Sequence, residues 1–430
     1  MLTRRDFLRR SVVVVSAGLA LPPVFTKAVH AATNNASLEP IFRDRVLVVV
    51  QMAGGNDGLN TLIPYSDGHY YDARPNIRIQ QKDVLPLDNE IGLHPSLGKL
   101  KELWDNGVMA AVQGVGYPNP NFSHFRSMEI WQTANLEQSF ADGWLGRLFE
   151  RVIDEEGHVM DGLAVGQALP MALRSAKSDV AVVQSLDTYK IQNDLGNLKE
   201  ADARVDALLK LYASYPVKAP YAALLDNVSE AAHKSSEELQ KAAAAYQSAV
   251  EYPKSALGSG FKMLSQVIAQ NMGVRVCHIG VGGFDTHSAQ PNTQARLLTE
   301  LAEGLSAFYR DLEAHGKAQD VLIMTWSEFG RRVQQNANQG TDHGTATPMF
   351  LLGGRVQRGF YGEAPSLANL QDGNLRYTTD FRSVYASVLD SWLGAPADEI
   401  LGSRFERLPF VGEATGTTLK AAQGRLLQPR

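Results

Sequence analysis

The chain has 430 residues, 44% of them hydrophobic and 20% charged, which is enough apolar material for a large core and excludes an extended or low-complexity protein. Its 46 acidic and 41 basic residues give a formal net charge of −5, and an acidic surface argues against general nucleic-acid binding. The single cysteine, Cys277, excludes an internal disulfide and, within "VRVCHIGVGG", reads as a small buried apolar residue.

The first 32 residues combine an Arg-rich start, an apolar stretch near 12–21, the helix-breaking Pro22-Pro23 and a small-residue "VHA" cleavage site, the pattern of an export signal. The apolar stretch is too short to span a bilayer, so no transmembrane segment is expected in the mature chain. The opening "TRRDFLRR" resembles the twin-arginine export signal, with Arg4-Arg5 as the pair and Phe7-Leu8 as its apolar follow-up. That resemblance implies passage of an already folded protein through the twin-arginine translocase, to a periplasmic or otherwise exported location. Removal of residues 1–31 takes Arg4, Arg5, Arg9, Arg10 and Lys27 away with Asp6, leaving 36 basic and 45 acidic residues and a formal net charge of −9.

Downstream, short runs rich in Val, Ile and Leu end in glycine or polar residues: "RVLVVVQMAGGND", "VMAAVQGVG", "DVAVVQS", "VRVCHIGVGGFDTH", "VLIMTWSEFG" and "TPMFLLGG". Continuous apolar runs of about 4–8 residues suit strands buried on both faces, as in a mostly parallel sheet sandwiched by helices. Residues 190–272 are helix-rich and charged, with one helix marked by Val205, Leu208, Leu209 and Tyr212 and another by Leu239, Ala243, Tyr246 and Val250. They read as a helical insertion in a single α/β domain spanning 32–430. Leu298, Leu301, Leu305, Phe308 and Leu312 recur at helical spacing, as do Phe381, Val384, Tyr385, Val388, Leu389 and Trp392 behind an N-cap at Asp380.

In open α/β sheets functional side chains gather beyond the carboxyl ends of the strands. Asp57, Asp285 and Glu328 all fall at such ends; an acid there is usually a cap or turn former, but His287 follows Asp285 by two residues and His343 follows Asp342 directly. Carboxylate oxygen and imidazole nitrogen are the mixed donor set of Zn²⁺, Mn²⁺ and Fe, so a divalent metal site of one or two ions is expected from these residues. Ser123 in "NPNFSHFRSMEIW" reads as an N-cap, ahead of Phe125, Met128 and Trp131; the same position could make it a metal-activated nucleophile at the positive end of a helix. Arg126, one turn on, could hold an anionic oxygen, with a solvated arginine as the default. The glycines of "AGGNDG" serve a tight turn or a close backbone approach, and His94 and His124 are spare imidazoles for a loop or a supporting role. No phosphate-binding P-loop and no dinucleotide G-x-G-x-x-G follows a strand.

Taken in order, "MAGGNDGLNTLIPY", "NFSHFRSMEIW", "GGFDTH", "WSEFGRR" and "GTDHGTATPMFLLGG" resemble the alkaline-phosphatase-like superfamily, and more closely a branch of twin-arginine-exported bacterial proteins within it, over about residues 45–395. The resemblance implies a doubly wound α/β fold and two metal ions about 4 Å apart that clamp a phosphate or sulfate ester. It implies further that Ser123 attacks in line, with His124 and Arg126 beside it, that Asp57 is a metal acid of the first strand, and that Asp285 and His287 form an Asp…His pair, here more closely spaced than is usual. Asp342-His343-Gly344 matches the superfamily's "DHG" by string. By chain order His343 instead matches the later histidine that precedes a core strand, and this register is preferred. Glu328 then stands for an aspartate, and Phe329 where a histidine ligand belongs.

The expected activity is hydrolysis of an anionic phosphate or sulfate ester. Two other readings stay open: a non-catalytic envelope protein that keeps a degenerate metal site, motivated by Phe329, and a redox-type metal centre built from the same ligands.

Overall fold

The computed structural model describes residues 42, 44–137, 142–151, 161–175, 180–185, 241 and 244–412. The export signal and most of the expected insertion, including Val205, Leu208, Leu209, Tyr212, Leu239 and Ala243, lie outside the described residues; Tyr246 and Val250 are described and sit in no helix.

The strands in chain order are β1 (Val46–Met52), β2 (Leu62–Ile63), β3 (Leu85–Pro86), β4 (Gly92–Leu93), β5 (Met109–Gly116), β6 (Gly162–Val165), β7 (Val180–Val183), β8 (Val276–Val281), β9 (Val321–Trp326), β10 (Thr347–Leu352), β11 (Gly359–Tyr361) and β12 (Thr379–Asp380). The helices are α1 (Gly68–Ala73), α2 (Gly98–Asp105), α3 (His124–Thr133), α4 (Trp144–Arg151), α5 (Ala256–Ala269), α6 (Gln290–Ala314), α7 (Phe381–Ser387) and α8 (Ala397–Leu401). All six runs expected as strands form strands. Asp380 caps α7, accepting the Arg382 N–H at 2.9 Å.

One sheet carries the order β11-β5-β10-β9-β1-β8-β6-β7, with β12 beside β5, and a small ribbon joins β2, β4 and β3. The alternation of side chains along β1 shows why its run is continuously apolar. Val46, Val48, Val50 and Met52 face one core with α2, α5 and α6, while Leu47 and Val49 face a second core with α3, α4 and α7. This is a mixed, mostly parallel α/β sheet with helices on both faces. Cys277 on β8 is fully buried, and burial raises its thiol pKa far above the ordinary range.

β1 runs parallel to β8 and β9, whereas β10 runs antiparallel to both β9 and β5. The start of β10 therefore lies at the same sheet edge as the ends of β1, β8 and β9. That reversal brings the segment before β10, which holds Asp342 and His343, to the edge where the segments after the other strands already lie. Among the described residues no helix is long and apolar enough to cross a membrane.

His278 sits inside β8 with only 4% of its surface exposed, and its Nε2 has no hydrogen-bond partner. Burial lowers its pKa to about 4, below the unfolded value of about 6.5. The folded state thus favours the neutral ring: its contribution is complete above about pH 6.5 and is lost as pH falls toward 4, by roughly 3 kcal/mol. Burial, against the charge of Asp57, also lowers His94 to about 4, so it acts in the same window. In His278→Val the acid-induced loss of stability between pH 7 and pH 4, followed by denaturant midpoints, should shrink by about half; a loss as large as in the parent would refute this.

Candidate metal centre

The loop after β1 is closed by two glycines. Gly54 (φ +118°) donates its N–H to Glu328 Oε1 at 2.9 Å, and a Cβ on it would stand 2.4 Å from the Asp285 nitrogen. A Cβ on Gly55 (φ +74°) would meet the Phe329 ring at 2.3 Å. These positions need glycine because the segment after β1 lies against the backbone after β8 and against the Phe329 ring after β9.

Asp285, His287, His343 and His124 meet at this edge. Asp285 Oδ1 lies 3.1 Å from His287 Nε2 and 3.2 Å from His343 Nε2, and Asp285 Oδ2 lies 3.5 Å from His124 Nε2. The Nε2 atoms of His287 and His343 are 3.0 Å apart. Each ring is held from behind through Nδ1: His124 by Glu328 Oε1 at 2.8 Å, His287 by Asp342 Oδ1 at 3.1 Å, and His343 by the Phe122 carbonyl at 2.7 Å. An acceptor at Nδ1 places the proton there and leaves the Nε2 lone pair facing inward.

Three Nε2 atoms and one carboxylate thus converge at contacts that a single shared proton fills only in part. A cation between His124, Asp285 and His343 would satisfy those three. Ligand bonds of about 2.0–2.2 Å in a tetrahedron put donor atoms roughly 3.3–3.5 Å apart, close to the separations seen here. Imidazolium is not the alternative at His343. Burial and the charges of Arg331 and His124 lower its pKa, although its bonds to the Phe122 carbonyl and to Asp285 act the other way. His124, Asp285 and His343 lie close enough together to share one ion, and His287 Nε2 stands beside two of them. Three nitrogens and one carboxylate suit Zn²⁺, Mn²⁺ or Fe.

Asp285 is itself fixed by Arg331, whose guanidinium is buried and reaches Asp285 Oδ1 at 2.8 Å. Burial raises the Asp285 pKa, but hydrogen bonds from Arg331 and His343, with the charge of Arg331, outweigh it and hold the carboxyl at about 2. It is therefore ionised at any working pH. Phe329 packs at 4.5 Å on His343 and 4.9 Å on His124, an apolar wall between two imidazoles.

The other expected site residues fall around this group. Glu328 is buried behind His124 and receives the Gly54 N–H, so it orients a ring instead of facing the centre. Asp342 stands likewise behind His287, and Asn336 donates to the same oxygen at 3.1 Å. Asp57 lies apart, in a fully buried ion pair with Arg74 Nη1 at 2.5 Å, and also accepts from Gln290 Nε2 at 2.5 Å. Arg126 is turned toward Glu129 and the Leu136 carbonyl, at 2.7 and 2.8 Å. His94 is a satisfied loop residue whose Nδ1 accepts the Ser96 N–H at 3.0 Å.

Ser123 has the backbone of an N-cap, φ −83° and ψ 125°, yet its hydroxyl caps nothing. It is exposed between Phe122, whose carbonyl holds His343, and His124, whose ring enters the cluster. Sequence reasoning gave no role to Arg331 or Asn336. The first of two adjacent arginines in "WSEFGRR" carried no signal to separate it from a surface cation.

Gly54→Ala should displace Asp285, lower metal affinity by about tenfold or more and cost at least 1 kcal/mol of stability, read by metal titration and thermal unfolding. Parent-like affinity in a folded variant would contradict the close-approach role.

Among solved structures the chain is similar to the lipoteichoic acid synthase LtaP from Listeria monocytogenes, at 8% identity and a TM-score of 0.40 over 86% of this chain and 81% of that one. It is similar to a protein in the alkaline phosphatase superfamily from Vibrio parahaemolyticus, at 9% identity and a TM-score of 0.37 over 86% and 70%. It is also similar to the PsFucS1 sulfatase from Pseudoalteromonas sp., at 12% identity and a TM-score of 0.37 over 85% and 70%. No curated protein matches the chain. The family model described as "Protein of unknown function (DUF1501)" matches residues 107–390, and the chain belongs to that family.

Proposed function

We propose that the protein is an exported, metal-dependent hydrolase of phosphate or sulfate esters, with one ion held by Asp285, His287, His343 and His124 and with Ser123 as nucleophile. The observation that carries the reading is the polarity of the three imidazoles, each with Nδ1 anchored and Nε2 turned toward Asp285. Export rests on the "TRRDFLRR" start and the apolar stretch behind it, with the twin-arginine translocase as the transient partner.

A bound divalent ion supplies Lewis-acid polarisation of an ester oxygen and lowers the pKa of a nearby hydroxyl. The chain's own residues do the rest. Glu328, Asp342 and the Phe122 carbonyl keep the Nδ1 protons in place, so the inward nitrogens stay unprotonated. Arg331 keeps Asp285 ionised and aimed. Ser123 Oγ, spent on no cap, stands at the N-terminus of a ten-residue helix, where the positive end of the dipole favours an anionic ester and a developing alkoxide. Attack by Ser123 releases the alcohol and leaves a seryl ester, which water cleaves.

Asp57 is left out of the ion-holding set because its charge is already matched by Arg74 in a site with no exposed side-chain surface. Elemental analysis of the mature protein should thus find about one equivalent of metal per chain, most of it lost in Asp285→Asn. Ser123→Ala should keep the metal and lose turnover of aryl phosphate or sulfate by about 10³-fold or more. Metal-free protein, or undiminished turnover in Ser123→Ala, would remove the centre or the nucleophile from the reading.

A further inference from the structure

The described residues hide nearly all of their large apolar side chains in three buried clusters, and the exceptions are concentrated. Phe125 is 90% exposed, Phe122 is 42% exposed and Tyr377 is 38% exposed. Phe122 lends its carbonyl to His343, and Phe125 follows His124 directly, so both rings are borne by residues whose neighbours or backbone build the metal cluster. Tyr377 stands at the end of β5, where a Cβ on Gly116 would approach its Cβ to 2.8 Å, and the chain runs from there through Tyr117 to Phe122.

We propose that Phe122 and Phe125 seat the organic part of the substrate, an aromatic or similarly flat apolar group, while its anionic head meets the cluster. The proposal rests on the ester-hydrolase reading for the head and adds the chemical class of the group esterified to it. Exposed phenyl rings beside a cation-holding cluster offer stacking and apolar contact to a ring held by a short ester link, and leave a charged or strongly hydrated alcohol without a partner. A second copy of the chain fits the patch poorly. Three rings of about 150–250 Å² each, exposed to 90%, 42% and 38%, offer each copy less than the roughly 600 Å² per partner that a stable interface buries. An anionic membrane surface fits no better, since the chain carries a formal net charge of −5.

The test compares two non-hydrolysable anions, phenylphosphonate and methylphosphonate, binding to full-length mature protein loaded with Zn²⁺, by calorimetry. The parent should bind phenylphosphonate about tenfold or more tightly than methylphosphonate. In the double variant Phe122→Ala/Phe125→Ala that preference should fall to about one, and in Phe125→Ala alone it should fall several-fold with zinc content and methylphosphonate affinity unchanged; Phe125 is 90% exposed, so the fold should persist. Equal affinities in the parent, or a preference retained in the variant, overturns the proposal while the anion site stands. Binding of neither ligand by zinc-loaded parent sinks the ester-hydrolase reading and this inference with it. A parent that self-associates through these rings, losing its dimer in the double variant, assigns the patch to another occupant and overturns the proposal as well.

Discussion

The site depends on one buried cation, the guanidinium of Arg331. Its donors reach the Gly55 carbonyl at 2.6 Å, the Thr341 carbonyl at 2.8 Å, the Phe284 carbonyl at 3.1 Å, the Gly54 carbonyl, and Asp285 Oδ1 at 2.8 Å. These acceptors belong to the segment after β1, the segment after β8 and the segment before β10. A guanidinium without exposed surface cannot leave any of them unpaired, because removing a partner from a buried charge costs on the order of 3–5 kcal/mol. The three segments are therefore locked to one another before any ion is considered. Arg74 repeats the device nearby: it binds Asp57, the Asn60 side chain, and the carbonyls of Arg332 and Val333, so the two residues after Arg331 are themselves clamped. Aim at the cluster is thus a property of the backbone frame, supplied by two arginines that face no solvent.

The direction of β10 explains how His343 joins residues that follow their strands. In a purely parallel sheet a histidine ahead of a strand would sit at the amino edge, far from Asp285 and His287. The antiparallel pairing of Leu351 with Met324, and of Leu352 with Ile323, turns the strand round and puts its amino end at the carboxyl edge of β9. His124 arrives by another path. It opens α3, which is held by Trp131 stacked at 4.5 Å on Phe381 and 5.5 Å on Trp326, so the first turn of the helix is fixed over the same edge.

Much of this was legible in the sequence, and the limits have physical causes. The apolar runs gave the strands because a strand buried on both faces needs apolar side chains at odd and even positions alike, as Leu47 and Val48 show. Direction was not legible, since "TPMFLLGG" is equally apolar either way round. The importance of Asp285, His287 and His343 could be read from their types and their places beside strands. Which acids face the centre could not: Asp57, Glu328 and Asp342 carry the same chemical group, and only the fold gives Asp57 to Arg74, Glu328 to His124 and Asp342 to His287. Where a histidine was expected at Phe329, an imidazole does reach the cluster from 205 positions earlier, His124, whose ring packs against that phenylalanine. Arg331 stayed invisible because burial, the property that gives it its role, is absent from a string of letters.

The three imidazoles are not equivalent, and the difference follows from what stands behind each. His124 is backed by Glu328, a carboxylate group with no exposed surface, which fixes the ring from the protein interior. His343 is backed only by a neutral carbonyl, yet its ring is one-fifth exposed and packed against Phe329. His287 is backed by Asp342, but ring and carboxylate are 44% and 56% exposed, so water screens the pair. The cluster therefore has a firm side at His124 and Asp285, tied through Glu328 and Arg331 into the sheet, and an open side at His287. On the proposed reading an anion approaching from solvent would meet the side at His287 first, with Ser123 next to His124 at the head of α3.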